Sequence, residues 1–145
     1  MRDIRIGRLL AITFCGVLLL QGCVTPAPTE VSFLPASEVS APGTALPHDG
    51  YLSTGQPDAA ALKAIAAAGY AGVVDLRSVD EPRGFDEAAT AASLGLHYRS
   101  LPVAGPDGVT FENAAKLDAL LAEYDGPVLL HCSSGNRVGA LLALR

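Results

Sequence analysis

Basic side chains, cysteines and metal-ligand patterns are all scarce in this chain, and each shortage removes a class of function. Only 10 of its 145 residues are Lys or Arg against 15 Asp or Glu, for a net charge of −5. Without residues 1–22, which carry Arg2, Arg5, Arg8 and Asp3, seven basic and fourteen acidic residues remain, a balance near −7. Such a surface repels phosphate backbones, so no nucleic-acid partner is expected. Three cysteines, Cys15, Cys23 and Cys132, do not make a disulfide framework. His48 and His97 have no Cys, Asp or Glu at a spacing that suits zinc or iron, so neither metal nor cofactor is expected. The apolar run over residues 9–20 is too short to span a bilayer stably. There is no tryptophan, no internal repeat and no long charge run, and the length fits one domain.

The first 22 residues read as an export signal, because Arg2, Arg5 and Arg8 precede the apolar run. The run closes on Leu20-Gln21-Gly22-Cys23, which resembles a bacterial lipobox. That resemblance implies cleavage before Cys23 and diacylation of its sulfur, hence a membrane-anchored envelope lipoprotein. Val24 rather than Asp follows the cysteine. By the sorting pattern of such lipoproteins this implies the outer membrane, with the domain facing the periplasm. Residues 23–47 are rich in Pro, Ser, Thr and Ala without apolar periodicity and read as a solvated tether, ahead of a domain over 48–145. Cys15 leaves with the signal and Cys23 is consumed by lipid, so Cys132 remains as the free thiol. An unpaired cysteine in an oxidising compartment is a liability, which favours a working nucleophile over a buried core residue.

Residues 128–137, VLLHCSSGNR, carry the chemistry. Residues 128–131 read as a short buried strand and residues 138–145 as the start of a helix. The intervening turn would aim backbone N–H groups at one point, where orphan donors and the positive end of the helix dipole make an anion site. Cys132 is expected at its lip, since the field that binds an anion also stabilises a thiolate. Arg137 supplies a planar fork for two oxygens.

The order His131-Cys132-x-x-Gly135 followed by Arg137 resembles the signature of the cysteine-dependent protein tyrosine and dual-specificity phosphatases. Those enzymes have five residues between cysteine and arginine; here there are four, Ser133, Ser134, Gly135 and Asn136. The shorter spacing resembles the beta-lactamase-hydrolase-like phosphatases and also the active loop of rhodanese sulfurtransferases. Residues 51–57 (YLSTGQP), 72–77 (GVVDLR), 95–103 (GLHYRSLPV) and 126–139 resemble the phosphatase-like subgroup in the same order, so the resemblance covers residues 48–145. It implies hydrolysis of a phosphate monoester through a phosphocysteine on Cys132, with Ser133, Ser134, Gly135, Asn136 and Arg137 binding the phosphate. The substrate would be a phosphorylated protein, phosphotyrosine included, or a phosphorylated small molecule of the envelope. Asp107 is the implied general acid, in the loop over 104–109 where the superfamily keeps it, although Asp-Gly is equally a simple turn. Glu112 is the alternative, although a carboxylate in a first helical turn is usually a dipole or capping residue. Related phosphatases place Ser or Thr after the arginine, where this chain has Val138.

Along the domain, residues 51–53, 71–76 and 98–103 read as strands, and 57–68, 85–94 and 110–124 as helices, with Pro57 opening the first and Gly69 and Gly95 closing the first two. Alternating strands and helices imply an α/β fold of three layers, a mostly parallel central sheet flanked by helices, with the site at the strands' carboxyl ends. His131 is expected to hydrogen-bond the loop backbone and support the thiolate, and Asp75 and Arg77 to form a surface ion pair. Leu141, Leu142 and Leu144 continue an apolar face up to Arg145 with no cap, as expected if the chain is a piece that ends early. Two other functions remain open from the residues: persulfide transfer on Cys132, and a lipid-anchored module that binds a phosphorylated or sulfated ligand without turning it over.

Overall fold

The computed structural model of the chain describes Leu34 and residues 39–43 and 46–145. The export signal, Cys23 and most of the expected tether lie outside the described residues. Five strands form one sheet in the order β1-β2-β5-β3-β4, comprising β1 (Leu46–His48), β2 (Tyr51–Thr54), β3 (Gly72–Asp75), β4 (His97–Ser100) and β5 (Val128–His131). All pairings are parallel except β1 with β2, an antiparallel edge made by a turn at Asp49 and Gly50. The four helices are α1 (Ala59–Ala67), α2 (Glu87–Ser93), α3 (Phe111–Leu121) and α4 (Asn136–Leu144).

The strands alternate their side chains between two apolar layers, which makes the sheet the middle of three. Leu52, Val73 and Leu129 meet Leu62 and Ile65 of α1 and Ala91 of α2 on one side. Val74, Val128 and Leu130 meet Leu117 and Leu121 of α3 and Val138 and Leu141 of α4 on the other, and Cys132 belongs to this second layer. The expected α/β three-layer architecture is therefore the observed one.

Helix starts are set by caps. Asp58 accepts the Ala61 N–H at 2.7 Å, Asp86 the Ala89 N–H at 2.9 Å and Thr110 the Asn113 N–H at 3.1 Å. Pro57 thus lies ahead of the cap rather than opening α1, and α2 and α3 are shorter than their apolar periodicity predicts. The helix α4 differs: its cap is Gly135, left-handed at φ 87°, with no side-chain cap bond. It also begins at Asn136, which places Arg137 in its first turn instead of ahead of residue 138.

The folded unit starts before residue 48, which corrects the expected end of the tether at residue 47. Val39 is buried in the α1/α2 layer. The Gly55 N–H donates to the Pro42 carbonyl at 3.0 Å, the Asp58 N–H to Ser40 at 3.2 Å, and Ser40 Oγ to Asp58 Oδ2 at 2.7 Å. Composition hid this segment because extended strap and solvated linker share the same Pro, Ser and Ala content.

Candidate active site

The carboxyl ends of β2, β3 and β5 converge on the loop over residues 132–135. Register places Thr54 and Asp75 on either side of His131, so the chain leaves β5 between two fixed neighbours. The His131 carbonyl accepts the Leu76 N–H at 2.9 Å, and the Ser133 carbonyl accepts the Gln56 N–H at 3.3 Å. Gly135 turns the loop: its N–H donates to Cys132 Sγ at 3.1 Å, and its positive φ is open to few residues other than glycine. Gly55 is required for a different reason, since a Cβ there would lie 2.1 Å from the Pro42 carbonyl oxygen and 3.0 Å from that of Ser133.

A cavity of about 550 Å³ opens above this loop, lined by Ser133, Asn136, Arg137 and Ala140, by Ser78 and Glu81, and by Gly105, Pro106 and Val109. Cys132 is 0% exposed and does not line the cavity, so it is not at the lip as expected from the sequence. The reason is strand alternation, which turns Cys132 into the α3/α4 layer beside Leu130. Ser133, Gly135, Asn136 and Arg137 are where the sequence places them around the turn, and the Ser134 carbonyl faces Gly43.

Arg137 is held from both sides. Its two terminal nitrogens bond Glu81 Oε1 and Oε2 at 2.6 Å each, Nη1 also donates to the Val103 carbonyl at 2.8 Å, and Nη2 to Ser133 Oγ at 3.1 Å. The bidentate Glu81 hydrogen bonds raise the guanidinium pKa above its usual value. In return the Arg137 bonds hold Glu81 below the usual glutamate value. Glu81 went unnoticed in the sequence because nothing local links it to a residue 56 positions away. Its own loop fixes it: the Ser78 N–H donates to Glu81 Oε1 at 2.7 Å.

Asp107 is exposed in the turn after β4 and does not line the cavity, although Gly105, Pro106 and Val109 of the same loop do. Glu112 is in the first turn of α3, paired with Lys116 at 2.7 Å, in keeping with a helix-surface role.

Beneath the loop lies a group of buried charges that the sequence reading placed wrongly. Asp75 and Arg77 are not a surface pair: both side chains are 0% exposed, joined by Arg77 Nε to Asp75 Oδ1 at 2.9 Å and Nη2 to Oδ2 at 3.0 Å. Arg77 Nη2 also meets Glu87 Oε2 at 2.5 Å. The His131 ring does not reach the loop backbone; Nε2 sits 2.8 Å from Glu87 Oε1 and 3.7 Å from Asp75 Oδ1. The 2.8 Å contact is not aligned as a hydrogen bond, so both ring nitrogens and Glu87 Oε1 have no hydrogen-bond partner among the described residues. Burial alone would raise the Asp75 carboxyl, but hydrogen bonds from Arg77 and the charge of His131 hold it below its usual value. Burial and the charge of Asp75 push the Tyr98 hydroxyl, which donates to Asp75 Oδ2 at 3.0 Å, up to about 12. Asp75, Glu87 and His131 carry ligand atoms within 4.8 Å of one another. The Arg77 guanidinium lies against both carboxylates, however, and a cation there would meet like charge.

No protein-family model matches the chain. Three curated relatives resemble part of its sequence. A Beta-lactamase hydrolase-like protein of Agrobacterium fabrum is 31% identical over 94 residues, and one of Xylella fastidiosa is 33% identical over 95, covering 62% and 63% of this chain. The chain spans 22% of the length of each. Among solved structures, the fold is similar to a candidate phosphatase of Neisseria meningitidis, with a TM-score of 0.59 and 19% identity over 66% of this chain and 70% of that one. It is also similar to a candidate phosphatase of Shewanella putrefaciens, with a TM-score of 0.57 and 22% identity over 73% and 65%. The core catalytic domain of the PP-IP phosphatase SIW14 of S. cerevisiae, in complex with citrate, gives 0.56 and 15% over 77% and 66%. The segment is thus related in sequence to the beta-lactamase hydrolase-like proteins, and its fold is the one these phosphatases share.

Proposed function

We propose, with that relationship as premise, that the domain is a cysteine-dependent phosphatase that hydrolyses phosphate monoesters through a phosphocysteine on Cys132. The observation that carries the reading is the uncapped start of α4. Its cap residue Gly135 offers no side chain, while the other three helices close their starts with Asp58, Asp86 and Thr110. The amides of the loop and the dipole of α4 are therefore left for an anion, at a point where Arg137 faces a cavity.

In this mechanism the Cys132 thiolate attacks phosphorus, the S–P bond forms and the P–O bond to the leaving group breaks. The first amides of α4 and the Arg137 guanidinium, through Nε and the Nη2 hydrogen released from Ser133 Oγ, hold the non-bridging oxygens, while Glu81 keeps the direction of that guanidinium. Asp107, on the loop that walls the cavity, turns inward to protonate the leaving oxygen. Water then attacks phosphorus, releasing inorganic phosphate and restoring the thiolate. Since Cys132 is buried and does not line the cavity, phosphate entry must draw the Ser133–Ser134 peptide aside. Gly105, Pro106, Val109 and Ala140 give the cavity an apolar wall, which suits an aryl ester such as a phosphotyrosine side chain. The reading includes an envelope address through lipid on Cys23, tested by labelled palmitate that is incorporated by the wild type and lost in Cys23→Ala.

The test of the activity is hydrolysis of p-nitrophenyl phosphate. Wild type should turn over, with Cys132→Ser inactive and Arg137→Ala weakened by about a hundredfold or more in kcat/KM. Retained activity in Cys132→Ser would overturn the reading. Release of thiocyanate from thiosulfate and cyanide, with no phosphatase activity, would replace it with sulfur transfer.

A further inference from the structure

We propose that Glu87 is a positioning residue that couples the nucleophile to the arginine, holding His131 ahead of Cys132 with one oxygen and Arg77 with the other. The proposal rests on the phosphatase reading for its kinetic consequence, but the coupling itself concerns only the geometry of Cys132 and Arg137.

Glu87 opens α2, far from the loop in sequence, and its side chain is 1% exposed. Oε1 lies 2.8 Å from His131 Nε2, and Oε2 lies 2.5 Å from Arg77 Nη2. Each contact leads to one half of the site. His131 is the last residue of β5, and fixing its ring and its carbonyl together fixes the direction in which the strand delivers Cys132. Arg77 leads the other way: it clamps Asp75, which also meets Arg83 Nη2 at 3.3 Å, and residues 77 and 83 bracket the loop that presents Glu81 to Arg137. A single carboxylate thus touches the two chains of contact that end in the sulfur and in the guanidinium.

Stability does not account for this arrangement. Burying ions strips their hydration, and apolar residues of like volume commonly fill such a space at no loss, so a buried ionic group with two functional ends is better explained by position than by folding energy. The titratable and charged groups around His131 and Cys132 are Asp75 of β3, Glu87 of α2 and Arg137 of α4 with its partner Glu81, and behind Asp75 and Glu87 stand Arg77, Arg83 and the Tyr98 hydroxyl.

The experiment follows two readouts on the full chain: kcat and KM for p-nitrophenyl phosphate, and the rate of Cys132 alkylation by iodoacetamide across pH. Glu87→Gln is expected to lower kcat about tenfold with KM changed far less, and to displace the pH midpoint of alkylation. His131→Asn, which leaves the Arg77 contacts intact, should reproduce the displaced alkylation midpoint with part of the loss in kcat, and the double variant should lose no more than Glu87→Gln alone, because that variant already breaks the contact the two residues share. If Glu87→Gln does not fold, His131→Asn reads the same coupling from its other end. A lower melting temperature with unchanged kcat and an unchanged alkylation profile would overturn the proposal and leave Glu87 a structural residue. A wild type that hydrolyses nothing, yet shows an alkylation profile displaced by Glu87→Gln, would sink the phosphatase reading and leave the coupling standing.

Discussion

The two faces of β5 are built from opposite materials. Val128 and Leu130 enter the α3/α4 layer with Cys132, among the apolar side chains of Leu117, Leu121, Val138 and Leu141. Leu129 begins the α1/α2 face in the same way, but His131 ends it among Asp75, Arg77 and Glu87, all buried. Apolar packing is non-directional, so it holds the layer of Cys132 together without fixing where the loop points. Ion pairs with hydrogen bonds are directional, and here Arg77 makes them to Asp75 and Glu87, the two carboxylates that the ring of the last residue before the loop lies against. The difference teaches that one strand can leave cohesion to one face and aim to the other.

The largest test of that comparison is Arg77→Ala, which strands Asp75 and Glu87 in the interior. Loss of one partner of a buried pair costs about 3–5 kcal/mol, so urea unfolding at neutral pH should show a midpoint far below wild type. A shift within experimental scatter would mean that the ionic face holds nothing. Leu130→Ala breaks the opposite face and should cost about 2–4 kcal/mol through its cavity. Unlike Glu87→Gln, it should keep kcat near wild type at temperatures where it remains folded, which separates cohesion from aim.

Glu81→Gln is a smaller perturbation. The pair with Arg137 is partly solvated, and its worth to stability is under about 1 kcal/mol, but the guanidinium loses its orienting charge and turnover should fall about tenfold. Acid provides a check on sign. Glu81 has its folded value below the usual 4.5, so its contribution is complete above that value and is lost as pH falls through the depressed one. Melting temperatures from neutral pH downward should converge for wild type and Glu81→Gln in acid; curves that stay parallel would place the interaction elsewhere. The last tests concern the two acid candidates. Asp107→Asn should slow alkyl phosphates, whose leaving groups need a proton, more than p-nitrophenyl phosphate. Glu112→Gln, on the exposed start of α3, should leave both rates and the melting temperature unchanged.

Much of this architecture was legible in the chain. Apolar runs at Val73-Val74 and residues 128–130 gave parallel strands, glycines 69 and 95 gave helix ends, and the order of elements gave the three layers. Cys132 and Arg137 stood out because a strand, a glycine and a helix start within ten residues make an anion site on local grounds alone. Glu81, Glu87 and the burial of Asp75 and Arg77 did not, since their meaning comes from contacts across β3, α2 and β5 that no local spacing encodes. The end of the strand at His131 was legible, and the side on which Cys132 falls follows from alternation, but the partners of the His131 ring were not, since they come from β3 and α2. The strap over residues 39–43 was missed because its partners, Gly55 and Asp58, lie beyond a turn.

The measurement that tests the central claim most directly is acid quenching of a reaction in progress, followed by mass analysis of the peptide that contains Cys132. The account predicts one phosphoryl group on that sulfur in the wild type, accumulated during turnover and absent from Cys132→Ser. Steady hydrolysis with an unmodified Cys132, or with the phosphoryl group on another residue, would contradict it.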